Sequence, residues 1–60
     1  MYYIINRRGQ YLIRDVLPAA WGTAEFAIGY RLHDEAKRVI KRLWPTTAKA
    51  VGCKIVWEAR

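Results

Sequence analysis

Two short apolar runs, residues 1–6 and 11–14, open the chain, and polar residues with Gly9 separate them. Tyrosine and isoleucine, which dominate both runs, are good strand formers. Glycine supplies the positive φ that a tight hairpin turn needs. The pattern therefore predicts a β-hairpin with Arg7 and Arg8 at its tip.

The next segment, up to residue 30, gives weaker signals. Residues 15–22 are expected to form a loop, because Pro18 opposes strand continuation. In residues 23–30, the alternation around Phe26 suits a brief third strand. An extended segment packed by Trp21 and Phe26 fits the same residues equally well.

The clearest periodicity lies in residues 32–43, where apolar residues recur at the spacing of one helix face. Asp34 and Glu35 fall in the first turn and basic residues in the last, as the helix dipole favours. His33 or Asp34 is expected to cap the helix start, and Pro45 to end it. The residues expected to be buried are Leu32, Ala36, Val39, Ile40 and Leu43. The residues expected to be exposed are Lys37, Arg38, Lys41 and Arg42.

The last strand is predicted at residues 53–58, after a connector at 45–52 in which one helical turn at 47–51 is left open. The element order is then ββ(β)αβ in a single domain, residues 1–60. The final strand is expected to return beside the first by a right-handed crossover. The fold class is α+β, a small two-layer sandwich with one amphipathic helix over one sheet face.

One helix leaves the second sheet face without cover. The first strand places Tyr2 and Ile4 on one face and Tyr3 and Ile5 on the other, so both faces are apolar. An uncovered apolar face marks an interaction site. Three covers remain open: residues 15–30 acting as a lid, a second copy of the chain in a homodimer, or a partner.

Charge adds a preference for anionic partners. The chain has 11 Lys and Arg against 5 Asp and Glu, a formal net charge of +6. Residues 1–30 carry three bases and two acids, and residues 31–60 carry eight bases and three acids, so the second half holds +5 of the total. Such a surface fits nucleic acid, a membrane surface or an acidic protein patch, and equally a solvated helix face.

No arrangement of residues in the sequence points to catalysis. One Cys and one His exclude a disulfide scaffold and a zinc finger. Cys53, within the last strand, is expected to be buried or inert, and His33 to be a surface or capping residue. The glycines match no phosphate-binding loop. We therefore expect a protein that is not an enzyme, with no cofactor and no metal.

No apolar stretch is long enough to span a bilayer, and the start lacks the pattern of a signal peptide. A cytoplasmic protein without a membrane partner is expected. The candidate partner-binding residues are the cations of the hairpin tip and helix, with two tryptophans near them. They are Arg7, Arg8, Trp21, Lys37, Arg38, Lys41, Arg42 and Trp44.

These residues also suit a nucleic-acid-binding protein. The bases would neutralise phosphates, and rings on an open sheet face would stack on bases. The rings considered for that role are Tyr2, Tyr3, Tyr11 and Trp57. No RNP1-type string or helix-turn-helix signature accompanies them.

The chain also resembles small accessory proteins encoded by phages and prophages. The residues that carry the resemblance are Met1-Tyr2-Tyr3-Ile4, Gly9, Tyr11-Leu12, Trp21, Ala24-Glu25-Phe26, Asp34-Glu35-Ala36 and Ile55-Val56. The resemblance implies a ββαβ fold and stoichiometric inhibition of a host protein or ribonucleoprotein, such as transcription machinery or a CRISPR–Cas complex, in the host cytoplasm. The basic charge departs from that pattern, which is often acidic or neutral, and opposes inhibition by DNA mimicry.

Overall fold

One helix packs on one sheet in the computed structural model, which describes residues 1–46 and 52–59. The α+β class predicted from the sequence is confirmed. The elements, in chain order, are β1 (Tyr2–Ile5), β2 (Tyr11–Arg14), β3 (Ala20–Gly22), a 3-10 turn (Ala24–Phe26), α1 (His33–Leu43) and β4 (Lys54–Trp57).

The sheet has the order β3-β2-β1-β4, and each neighbouring pair of strands is antiparallel. In β1 and β4, Tyr2 pairs with Trp57 and Ile4 with Ile55. The final strand therefore lies beside the first, as predicted. Since β2 and β4 are both antiparallel to β1, they run parallel to each other on either side of it.

The predicted hairpin between β1 and β2 is confirmed, and Asn6 organises its turn. The Asn6 side-chain oxygen accepts hydrogen bonds from the backbone N–H groups of Arg8 and Gln10, at 2.9 and 3.0 Å. Gly9 has φ +77°, a conformation that glycine adopts without strain. The tip that carries Arg7 and Arg8 is consequently a defined turn.

The third strand lies where a loop was predicted. Residues 20–22 form β3, with Trp21 opposite Leu12, whereas the possible strand at 23–30 is a 3-10 turn followed by extended chain. The loop prediction fails at these three residues because a three-residue edge strand is too short to show alternation. Pro18 lies in the connection between β2 and β3, two residues before β3 begins, so it does not prevent this strand.

Residues 28–30 fill the space where β1 and β2 diverge. Tyr30 exchanges two backbone hydrogen bonds with Tyr2, at 2.7 and 2.8 Å, and the Ile28 N–H donates to the Leu12 carbonyl at 3.1 Å. This segment thereby satisfies backbone groups that the two strands leave unpaired. It also brings the Tyr30 ring into the core.

The helix begins one residue later than predicted. Leu32 is its N-cap, with φ −120° and ψ 143°, so neither His33 nor Asp34 caps it. The Glu35 carboxylate accepts a hydrogen bond from the Leu32 N–H, and the reciprocal bond is missing because leucine has no side-chain acceptor. Leu32 was expected to be buried, yet it is 62% exposed. Its extended backbone directs the side chain away from the helical stripe.

The core lies between α1 and one face of the sheet. The other helix positions behave largely as expected: Ala36, Val39 and Leu43 are buried, and Ile40 is half-buried. From the sheet and its neighbouring segment they meet Ile4, Leu12 and Tyr30. The described start of β4 is Lys54, one residue after the predicted start, and Cys53 packs at the margin of this core.

The two residues expected to pack a lid on the second sheet face, Trp21 and Phe26, do not lie over it. Trp21 lies on the helix side of the sheet with its partner Leu12, and Phe26 is 68% exposed, so the expected lid residues do not lie over this face. Tyr3 is buried on this face, and the ring of Tyr11 packs edge-on against it at 5.9 Å. The Tyr11 hydroxyl then donates to the carboxylate of Glu58. The homodimer through this face remains a prediction, and the helical turn left open at 47–51 lies outside the described residues.

Candidate functional site

The outward side of α1 carries a cluster of cations. Its inward side is fixed by Ala36, Val39 and Leu43, and with 3.6 residues per turn the intervening positions point to solvent. We call the four residues there the basic face. As predicted, all are exposed: Lys37, Arg38, Lys41 and Arg42.

Three of these cations are available to a partner. No carboxylate in residues 1–46 or 52–59 forms an ion pair with Lys37, Arg38 or Lys41. Asp34 borders the same shallow hollow of about 190 Å³, so three positive charges stand there against one negative charge. The hollow therefore favours an anion.

Arg42 differs from its neighbours because it is held by the sheet side of the molecule. Its guanidinium donates to the backbone carbonyl of Asp15 at 2.8 Å. The Asp15 carboxylate accepts a hydrogen bond from the Tyr30 hydroxyl at 3.0 Å. Burial, followed by this hydrogen bond, raises the pKa of Tyr30 above its ordinary value of 10.0. Arg42 thus contributes to the structure as well as to the surface charge.

A second group of candidate residues meets at the hairpin tip. Arg7 and Arg8 border a shallow depression of about 320 Å³ together with Trp21. We call this depression the tip groove. Its lining is Asn6, Arg7, Arg8, Gln10 and Trp21. The hairpin and the β2–β3 pairing thereby join residues that lie far apart in sequence.

A stacked tryptophan pair connects the tip groove to the end of the helix. The rings of Trp21 and Trp44 lie 5.8 Å apart between centroids and are tilted by only 11°. Trp44 is the C-cap of α1 and follows directly on the turn that carries Lys41 and Arg42. Trp44 is half-buried, as expected. The candidate residues therefore form two groups, the tip groove and the basic face, joined by this pair.

The rings considered for base stacking lie on two different faces of the sheet. Tyr2 pairs with Trp57 on the helix side, and Tyr3 lies with Tyr11 on the other. Tyr3 is only 6% exposed, and the Tyr11 hydroxyl is bonded to Glu58. Alternation along the strand separates these rings, and Trp21 instead presents an aromatic side chain to a cationic groove.

The groups with potential for chemistry lie apart from one another. His33 occupies the first helical position and packs edge-on against Tyr2, with 5.5 Å between ring centroids. Burial raises the pKa of the Cys53 thiol, which disfavours the reactive thiolate. In the described part of the chain, no group of three or more His, Cys, Asp or Glu side chains could hold a metal ion.

Sequence reasoning did not identify Asn6, Gln10 or Asp15 as parts of these surfaces. An asparagine three residues before Gly9 is a turn signal that would have pointed to Asn6. No local signal reveals the contact between Asp15 and Arg42, which are 27 residues apart.

The chain matches no family model, no curated protein and no solved structure. None of the helices in residues 1–46 and 52–59 has both the length and the apolar character needed to cross a membrane. The function must therefore be argued from the two cationic surfaces themselves.

Proposed function

We propose that the protein binds nucleic acid through its phosphate backbone, with the basic face and the arginines of the tip groove as contacts. The observation that carries the proposal is the set of exposed cations Lys37, Arg38 and Lys41, on a helix whose opposite side is locked into the core. A rigid array of cations suits a repeating anion, because each neutralised phosphate releases condensed counterions. The formal charge of +6 adds long-range attraction.

The expected salt dependence follows from the number of contacts. Lys37, Arg38 and Lys41, with Arg7 and Arg8, offer five cations that are exposed. For a single strand the log–log slope is about −0.7 per phosphate, which gives about −3.5 for five contacts. Raising salt from about 50 to about 200 mM should then weaken binding by about 100-fold.

The proposal is tested by fluorescence anisotropy with a labelled oligothymidylate. A length of about twelve nucleotides lies within the range that small single-strand binding sites cover. Replacing Lys37, Arg38 and Lys41 together by Gln should reduce the slope to about −1.4. A control with the same net charge replaces three exposed cations that line neither the tip groove nor the hollow of the basic face. These are Arg14, Arg31 and Lys54, again each to Gln.

The control variant should keep more of the slope and affinity than the basic-face variant. Equal losses in the two variants would show that only net charge matters and would contradict the assignment of the basic face. Absence of binding to single- or double-stranded nucleic acid at low salt would refute the proposed function. Circular dichroism of each variant checks that its fold is intact.

A second candidate function is the one implied by the resemblance, stoichiometric binding and inhibition of a host protein. It is favoured by large apolar side chains that are exposed, among them Leu17, Phe26 and Trp57. Exposed apolar and aromatic side chains of this kind are typical of protein–protein interfaces, whereas contacts to phosphates use cations. A purified partner that binds after nuclease treatment, and loses affinity with Trp57→Ala while tolerating the basic-face variant, would support this function instead.

A further inference from the structure

We infer that the tip groove is a base-stacking subsite, so that the protein selects single-stranded nucleic acid with accessible bases over a bare chain of phosphates. The inference rests on the proposed function and adds a ligand class to it. Arg7 and Arg8 border the groove together with the ring of Trp21. An aromatic ring and two arginines that line the same groove suit a ligand that is both flat and anionic.

The geometry of the tryptophan pair leaves part of Trp21 uncovered. Parallel rings in van der Waals contact have planes about 3.5–4 Å apart. A centroid separation of 5.8 Å at 11° therefore requires the rings to be offset by about 4–5 Å. Trp44 thus covers only part of one Trp21 face, and Trp21 still lines the open groove. The stack fixes the orientation of the ring before any ligand arrives.

The cationic side of the groove is also held in place. The amide of Asn6 donates to the Gln10 side chain at 3.0 Å, in addition to the two backbone bonds that Asn6 accepts. The Arg7 side chain lies against Gly52, where an added Cβ would collide with its Cγ and Nε atoms. The turn and the Arg7 side chain are thus positioned before binding, which favours affinity.

The groove fits a nucleotide better than other anions. A free phosphate or an acidic side chain would use the arginines but not the exposed part of the Trp21 ring. A duplex keeps its bases stacked inside, so it offers the groove only phosphates. A single strand offers both groups, and stacking on aromatic side chains tolerates every base. The occupant is therefore an unpaired nucleobase with its adjoining phosphate.

The test compares two ligands with the same phosphates on the unmodified protein. One is an oligothymidylate of about twelve nucleotides, and the other is the abasic oligomer of the same length. Anisotropy titrations at low salt should give tighter binding of the oligothymidylate, by about five- to 150-fold for one stacked base. Equal affinity for the two ligands would overturn the inference and leave the proposed function standing. If neither ligand binds, the proposed function itself fails, and the inference falls with it.

Variants locate the preference. Trp21→Leu should remove most of the preference for the oligothymidylate and leave binding of the abasic oligomer within about twofold, whereas Trp21→Phe should retain much of it. Trp57→Leu, at an exposed tryptophan outside the groove, is the matched control and should keep the full preference. A preference that survives in Trp21→Leu would overturn the inference.

A second measurement applies if Trp21→Leu fails to fold: quenching of tryptophan fluorescence in the Trp57→Phe protein. Quenching by the oligothymidylate alone supports the inference, and equal quenching by both ligands overturns it.

Discussion

Replacing Val39 by Asp tests the packing on which the basic face depends. Val39 is 8% exposed and lies in the core among Ile4, Leu12 and Tyr30. The substitution loses the burial of a valine side chain, worth about 1.5–3 kcal/mol. It also places a carboxyl group among uncharged core residues, at the edge of a surface depression that Arg38 and Arg42 line.

The expected loss is close to the total stability of so small a protein. Sixty residues at about 0.05–0.15 kcal/mol each give about 3–9 kcal/mol. An unsatisfied polar group adds about 1–3 kcal/mol to the lost burial, and an ionised one adds more. The sum is at least about 2.5–6 kcal/mol, so Val39→Asp should leave much of the protein unfolded at pH 7 and room temperature.

Urea titrations followed by circular dichroism measure this effect, with Lys37→Asp on the exposed side of α1 as the control. The control should shift the unfolding free energy by less than about 1 kcal/mol. Any folded Val39→Asp protein should regain stability relative to wild type as the pH falls. Burial raises the pKa of the new carboxyl above its unfolded value, so protonation favours the folded state. A Val39→Asp protein as stable as the Lys37→Asp control would refute the described packing of α1.

Three further predictions concern single contacts. Tyr30→Phe should cost about 1 kcal/mol near neutral pH, because it removes the hydrogen bond to Asp15. Since the pKa of Tyr30 is raised in the fold, the wild type should lose its stability advantage over Tyr30→Phe as the pH rises above about 10. Urea titrations of both proteins near neutral pH and above pH 10 measure this loss. Asn6→Ala should cost about 1 kcal/mol in the same assay, since three hydrogen bonds that order the hairpin turn disappear. Leu32→Gln should change stability by less than about 0.5 kcal/mol because the side chain is exposed, and a larger loss would contradict its described position.

The fold could be predicted to the extent that local pattern decides it. The helix and the first hairpin follow from periodicity and from Gly9, and both strands of the hairpin were located. The prediction for Leu32 failed for a physical reason. A residue can match the helical spacing and still have an extended backbone at the N-cap, where the 3.6-residue period no longer directs its side chain.

The candidate surfaces could be predicted less completely, because they depend on contacts between distant residues. Exposure of Lys37 and Arg38 follows from the helix alone. The tip groove instead requires β3 to bring Trp21 beside a turn that lies about fifteen residues earlier in the chain. A strand of three residues is too short to be recognised from its hydrophobic pattern. The sequence therefore indicates a charged tip at Arg7 and Arg8 but does not place the Trp21 ring beside it.

The tryptophan pair explains how so small a core can support two cationic surfaces at once. Trp21 belongs to an edge strand, and Trp44 to the end of the helix. Their stack ties the sheet edge beside the tip groove to the C-terminal end of the helix that carries the basic face. The sheet edge and the helix that carries the basic face are then held relative to each other before binding, so less binding energy would go into arranging these elements around a nucleic acid strand. The same stack makes Trp44 a positioning residue for Trp21, whose own ring faces the groove.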